Sequence, residues 1–553
     1  MRRATLPVLV LAAALSLPGA ARAQAGDDAP PPAAGVLRVM IPGVWGRWNE
    51  RFGSGTAGRA EGQLEPIGVD FTTDSLGTTQ LPFLGPSEAA LRSVTGLSAF
   101  RLDIGGSDVQ LNANVRSLPL ALSYGVSRRL SIGVMFPLVR SRVEAVLRMD
   151  TAGTLPGNVG ANPGYTQAGV YDAFRQQVDT ALAALIEQAS NGPAALRAQA
   201  LATLDQYQGL LCDLYGLGGG SPGSQASPCV SAALGGAAPF LPLTGTEAAD
   251  SIGSRLAAAQ AAYAQLVALY AGQGVTLPGF SAAFALPGDS AVVTRGDFER
   301  FLTDPAQGVA GDTIGQVLHT RLGDVEVSAT YAFAERPSWR GLLHATVRLP
   351  TGMVDSERNF IDVGTGLHQL GFEVGTRNDF ALGSRFRIVA AARVGAYVPD
   401  HLFRRVSPAW LPIAPLSSRA EVRRATGSFV GLDLTPTWRI DDAFSIGVRY
   451  GLFRQAATHY TYVDGADSAR VRLPASVLDA ETSMRWMRVG AAVTFSTLAR
   501  FAAGRAALPY SLTVGYQNTV WGRGGLTPQA SLMYVTLATY FRLFGESARR
   551  GSW

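Results

Sequence analysis

The chain has 553 residues, of which 47% are hydrophobic, 16% charged and 63 glycine. Its formal charge of +5 falls to +2 without Arg2, Arg3 and Arg22, so basicity gives no reason to expect a nucleic-acid partner. Two cysteines and five histidines show no zinc-site spacing, and no Gly-rich phosphate loop is present.

Arg2 and Arg3 precede an apolar run from Ala4 to Leu17, and Ala21-Arg22-Ala23 supplies the small residues a signal peptidase needs. Residues 1–23 therefore read as a cleaved export signal. Residues 24–37 read as a flexible, Pro-rich leader. Later apolar runs are short or broken by Gly, Pro and Arg, so a membrane would be crossed by strands rather than helices.

Three strands are expected in residues 38–149: 38–52, 108–126 and 130–149. The second has a phase change near Arg116 to Leu118 that reads as a bulge. Residues 150–323 are too long for an ordinary loop and read as an extracellular insertion. Within it Tyr171, Phe174, Val178, Leu182, Leu185 and Ile186 recur at helical spacing. So do Leu196, Ala200, Leu204, Tyr207 and Leu211, then Ile252, Leu256, Tyr263, Leu266 and Tyr270, giving three amphipathic helices. Cys212 and Cys229 flank a Gly/Ser-rich link. In an oxidising compartment they are expected to form a disulfide, worth ~3 kcal/mol in the chain-entropy picture. Asp297 is expected in the first turn of a short helix over 298–302.

Nine more strands are expected in residues 324–544: 324–333, 340–349, 367–380, 385–398, 426–440, 444–462, 483–498, 508–519 and 529–544. A tail, 545–553, follows. The alternation is plain in Phe444, Ile446, Val448, Tyr450 and Leu452 against Ser445, Gly447, Arg449 and Gly451. Several segments exceed the ~5–6 residues usual in soluble sheets and reach the ~9–11 a membrane demands. Short and long connections alternate along the chain, as periplasmic turns and outer loops do. The fold class expected is an all-β transmembrane antiparallel β-barrel of about twelve strands in a bacterial outer membrane, with an α-helical insertion in one long extracellular loop. Fourteen strands, with a hairpin in 59–74, is the alternative.

By alternation Glu326, Glu373, Arg377, Arg393, Asp433, Arg439, Arg449 and Arg488 face away from lipid. His344 shares its strand's polar side with Thr346 and Arg348. These ten charged or ionisable residues, Arg348 and His344 included, are the candidate lumen lining. They either pair into a ladder that stiffens the wall or border a water path. Trp45, Trp48, Trp438 and Tyr450 are expected on the outer face, some of them as interfacial anchors. No nucleophile–base set is evident, so no enzyme activity, cofactor or metal is expected.

Several motifs carry a family resemblance. Leu322-Gly323-Asp324-Val325-Glu326 is followed one hairpin later by Arg348-Leu349-Pro350-Thr351-Gly352. Tyr124-Gly125-Val126-Ser127-Arg128-Arg129-Leu130 leads to Phe136-Pro137-Leu138, and Asp441-Asp442-Ala443-Phe444 echoes the turn. The chain thereby resembles the MetA-pathway of phenol degradation family of outer-membrane β-barrels, distant relatives of fatty-acid porin-like channels. Thr536, Ala538, Phe541 and Leu543 resemble the terminal strand that barrel-assembly machinery reads. The resemblance implies a channel for passive uptake of small apolar or aromatic compounds, with outer-membrane lipid as its surroundings. The alternative is a closed barrel displaying the helical insertion as a surface binding or structural module.

Overall fold

In a computed structural model the described residues are 31–53, 60–150, 157–166, 168–215, 238–277, 286–409, 411–525 and 527–543. The expected export signal, the C-terminal tail and Cys229 lie outside them, and Cys212 sits near the end of a helix.

Twelve strands form the wall: β1 (Val36–Trp48), β2 (Ser107–Gly125), β3 (Leu130–Met149), β4 (Glu326–Arg336), β5 (Trp339–Arg348), β6 (Gly371–Leu382), β7 (Phe386–Tyr397), β8 (Phe429–Arg439), β9 (Phe444–Gln455), β10 (Met484–Ser496), β11 (Tyr510–Arg523) and β12 (Ser531–Arg542). Each pairs with its neighbours in chain order, and β1 pairs antiparallel with β12, closing the sheet. Closure satisfies the wall's backbone groups, which is what lets strands sit in lipid. The fourteen-strand version is not formed. Leu64–Pro66 instead joins a small separate sheet with Glu50–Phe52 and Thr527–Pro528.

One face of each strand looks outward with large apolar side chains. On β9 these are Phe444, Ile446, Val448, Tyr450 and Leu452; on β8, Val430, Leu432, Leu434 and Trp438. A closed barrel with such a band spans a bacterial-type outer membrane. No described helix is long and apolar enough to cross one. Trp45 and Tyr450 are outward, and Trp438 is 52% exposed, but Trp48 is 2% exposed. Trp48 stands three positions after Trp45, an odd offset, so the two point to opposite faces of one strand.

The expected bulge near Arg116 is absent. The β1–β2 register runs unshifted from Leu37↔Tyr124 to Trp48↔Ala113. What changes is the surroundings. On β2 the exposed residues Leu118 and Leu120 give way to Arg116 and Gln110 on the same face, while Val115, Ala113 and Leu111 are buried on the other. On β3, Leu130, Ile132, Phe136 and Leu138 are followed by exposed Arg140. The strands leave the hydrocarbon layer here. Roughly nine residues, 118–126, span about 30 Å of strand, and a tilt of ~40° leaves about 23 Å, close to the usual apolar band.

Gln316–Leu322 continues the line of β4 along β3, pairing with 138–144, and is separated from β4 by Gly323, Asp324 and Val325. The expected strand 444–462 is also two pieces. The wall strand ends at Gln455, and His459–Tyr462 joins Asp400–Arg405 and Arg419–Ala425 in a three-stranded sheet. Its core is Val406, Ala420, Val422 and Ala475.

Residues 72–108 and 147–311 form a second compact unit. It contains α1 (Gly85–Thr95), α2 (Ala168–Asn191), α3 (Arg197–Tyr215), α4 (Glu247–Tyr270) and α5 (Arg295–Thr303). The periodic residues Phe174, Val178, Leu182, Leu185, Ala200, Leu204, Leu211, Ile252, Leu256, Tyr263, Leu266 and Tyr270 are buried. Phe301 packs against Phe83, Phe240 and Phe298. Thr294 and Asp297 close a capping box at the start of α5, a device worth about 1 kcal/mol.

Candidate functional site

The inner wall gathers most of the predicted charges. Glu326, His344, Arg348, Glu373, Arg377, Arg393 and Asp433 border one cavity of about 250 Å³ inside the barrel. Arg449 and Arg488 are buried in the wall outside its lining. Arg439 is the exception. At the end of β8 it is exposed and donates to the Ser384 carbonyl at a short turn. Strand parity alone assigned it inward, and parity carries no information about where the wall ends. Arg38 also borders the cavity and was missed. Its side is opposite to that of the exposed Ile41 and Trp45, the signal that could have found it.

Cross-strand pairs organise the charges. Arg348 on β5 donates to Glu326 Oε1 on β4 through Nε (3.0 Å) and Nη2 (2.9 Å), and to the Tyr397 hydroxyl on β7 through Nη1 (2.8 Å). His344 Nε2 lies 3.4 Å from Glu373 Oε1. Within β6 itself, Arg377 Nε donates to Asp379 Oδ1 at 3.3 Å. Arg393 lies across Gly431, where a Cβ would come within 2.5 Å of its Nε, so the glycine makes room for the guanidinium. The Arg449 guanidinium stands 5.0 Å from the Tyr534 ring centre and that of Arg488 3.9 Å from Trp486.

Aromatic side chains line one arc of the inner wall on four successive strands. Tyr397 meets Phe429 at 5.9 Å, Phe429 stacks on Phe453 at 5.7 Å, and Phe453 on Trp486 at 5.1 Å. With Met484 they form one buried cluster. Such stacking adds ~0.5–1.5 kcal/mol per pair beyond area burial.

The connection over residues 349–370 is pinned to several strands. Asp324 accepts from the backbone N–H of Gly352 (2.9 Å), Leu367 (2.7 Å) and His368 (3.3 Å). Ser141 Oγ on β3 donates to the Val363 carbonyl at 2.7 Å, and His319 Nε2 lies 2.7 Å from Asp362 Oδ1. Arg404 holds Asp355 through two bonds of 2.6 and 2.7 Å. The connection helps enclose a second cavity of about 160 Å³, bordered by Phe71, Phe360, Leu367, Arg405 and Tyr460 among others. The resembling motifs are thus architectural: Asp324 and Gly352 fasten this connection, and Glu326 and Arg348 pair beside it.

Arg51 Nη2 donates to Asp70 Oδ1 at 2.8 Å, and its Nε to Glu65 at the same distance. Burial pushes the Asp70 carboxyl up to about 7 against the pull of Arg51. An unfolded Asp titrates near ~3.9. Between those values the folded loop holds a proton that the unfolded loop releases, so stability falls as pH rises from about 4 to about 7 and is flat above. Limited proteolysis around residues 60–75 should therefore be slower at about pH 5.5 than at about pH 8. Asp70→Asn should remove the difference. An unchanged pH response in that variant would reject the assignment.

Among the described residues no group of three or more His, Cys, Asp or Glu could hold a metal ion. No family model matches the chain, and no curated protein matches it. Solved structures do. An outer membrane channel from Pseudomonas putida F1 matches at 9% identity and TM-score 0.40, covering 93% of this chain and 98% of that one. A FadL homologue of Pseudomonas aeruginosa matches at 7% and 0.25, covering 92% and 90%. The P. putida toluene transporter TodX matches at 9% and 0.25, covering 92% and 90%. At TM-scores this low the likeness bears no weight; the closed wall and its outward apolar band establish the barrel.

Proposed function

We propose that the chain is a passive outer-membrane channel for small aromatic or apolar compounds, with its short-turn end and both termini in the periplasm. The observation carrying this is the cavity of about 250 Å³ held inside a closed barrel by a wall of mixed charge. A barrel that only anchored a surface module would gain more from an apolar filling, because buried ion pairs give little net stability over apolar replacements. The aromatic arc from Tyr397 to Trp486 gives the same inner wall an apolar, polarisable side beside the charges.

Liposome swelling with the purified barrel tests this. Small aromatic alcohols and small sugars, compared at equal osmolarity, should both enter, the aromatics faster. Folding is checked by heat-modifiable migration on a gel. A folded barrel admitting no solute would sink the channel reading and leave the helical unit as the functional part.

A further inference from the structure

Resting on the channel reading, we infer that the β7–β10 wall holds an anion-binding subsite, built on Arg393 and Arg488, for the carboxylate of a small aromatic acid. The register places these residues close together. Arg393 stands opposite Gly431, and Asp433, two residues along β8, pairs with Gly451, which pairs in turn with Arg488. The electrostatic neighbours of Arg488 are Arg393 and Asp433. Glu373 is the acid that faces Arg393 from β6.

The subsite is buried and its donors are under-used. Arg488 is 1% exposed and Arg393 5%. Nη1 and Nη2 of Arg488, and Nε and Nη2 of Arg393, have no hydrogen-bond partner among the described residues. The polar contact of Arg488 is one bond from Nε to Thr519 Oγ1 at 3.2 Å. Buried donors almost always find an acceptor, and a guanidinium without one is costly. Two neighbouring guanidinium groups with open donors suit a two-oxygen anion, because the fork of N–H groups matches a carboxylate. Trp486 lies flat under Arg488 and stacks in turn on Phe453, so the guanidinium is seated on the end of the aromatic arc. Arg393 borders the cavity, which gives the solute a route to the pair.

Two measurements test this. In planar bilayers under a salt gradient, the reversal potential should show chloride favoured over potassium on the order of threefold or more. In liposomes, benzoate should enter about tenfold faster than benzylamine, with benzyl alcohol between them. Arg393→Gln with Arg488→Gln should bring the rate of benzoate relative to benzyl alcohol down to that of benzylamine or close to it. The lysine pair, Arg393→Lys with Arg488→Lys, should keep part of the advantage of benzoate, since charge remains but the fork is lost. Benzoate, benzyl alcohol and benzylamine entering the wild-type barrel at equal rates would overturn the subsite and leave the channel intact. Failure of all three to enter would count against the channel itself. If the glutamine pair does not fold, the wild-type reversal potential alone decides, and a non-selective or cation-selective value overturns the proposal.

Discussion

Asp324→Ala is expected to release the connection over residues 349–370 and raise ion conductance severalfold. Its carboxylate accepts from three backbone N–H groups, those of Gly352, Leu367 and His368. Hydrogen bonds to a charged acceptor contribute roughly 1.5–3 kcal/mol each. Losing all three, while leaving buried donors unmet, should cost about 4 kcal/mol locally. The surroundings accept no other anchor. A Cβ at Gly352 would sit 2.8 Å from Asp324 Oδ1, and one at Gly366 would sit 2.6 Å from Oδ2. His368 adopts φ 53°, a left-handed backbone held in place by this same contact and by its Nδ1 beside the Gly352 carbonyl at 2.7 Å. Single-channel recording reads the effect directly. The wall itself should survive, because Asp324 lies between Gln316–Leu322 and β4, outside either. A conductance equal to wild type, in a folded barrel, would show that this connection does not obstruct the path.

Arg348→Met should destabilise the barrel by about 3–5 kcal/mol, the usual cost of removing one partner from a buried ion pair. The change deprives Glu326 of both its bonds and Tyr397 of its 2.8 Å donor. It also takes a positive charge away from Glu373, whose electrostatic partners include Arg348. The pair of changes Arg348→Met with Glu326→Leu should recover most of the loss, because an apolar pair of similar volume is often as stable as the ion pair it replaces. Denaturant midpoints of the folded barrel in detergent or lipid check both. Equal losses for the single and double variants would mean that the charges do not act as a pair.

The wall was legible because its rule is short-range. A period of two is written in consecutive residues, and β9 shows it without interruption from Phe444 to Leu452. Parity also assigned Glu373, Arg393 and Arg488 to the inside. It failed where its premise fails. At Arg439 the wall has ended, and on β2 the outer face meets water beyond Leu118, so an environmental change looked like a bulge. The turn of 349–370 toward Ser141, His319 and Asp324 was not legible. Those contacts join residues far apart in sequence, and no local pattern records them. The small sheet of Asp400–Arg405, Arg419–Ala425 and His459–Tyr462 was missed for the same reason: its last strand looks like the continuation of β9. The helix α1 went unremarked because its single short stripe begins at Gly85-Pro86, which reads as a turn before it reads as a helix start.

The passage from leucines to arginines along the outer face of β2 and β3 makes the barrel a gauge of its own bilayer. Where Arg116 and Arg140 begin, acyl chains must end, because a guanidinium drawn among them costs several kcal/mol. Lipids with longer tails would have to compress locally around this wall, and shorter ones would expose Leu118 and Leu138 to water. The chain is therefore matched to one hydrocarbon thickness, and lipid tail length becomes a variable in any reconstitution.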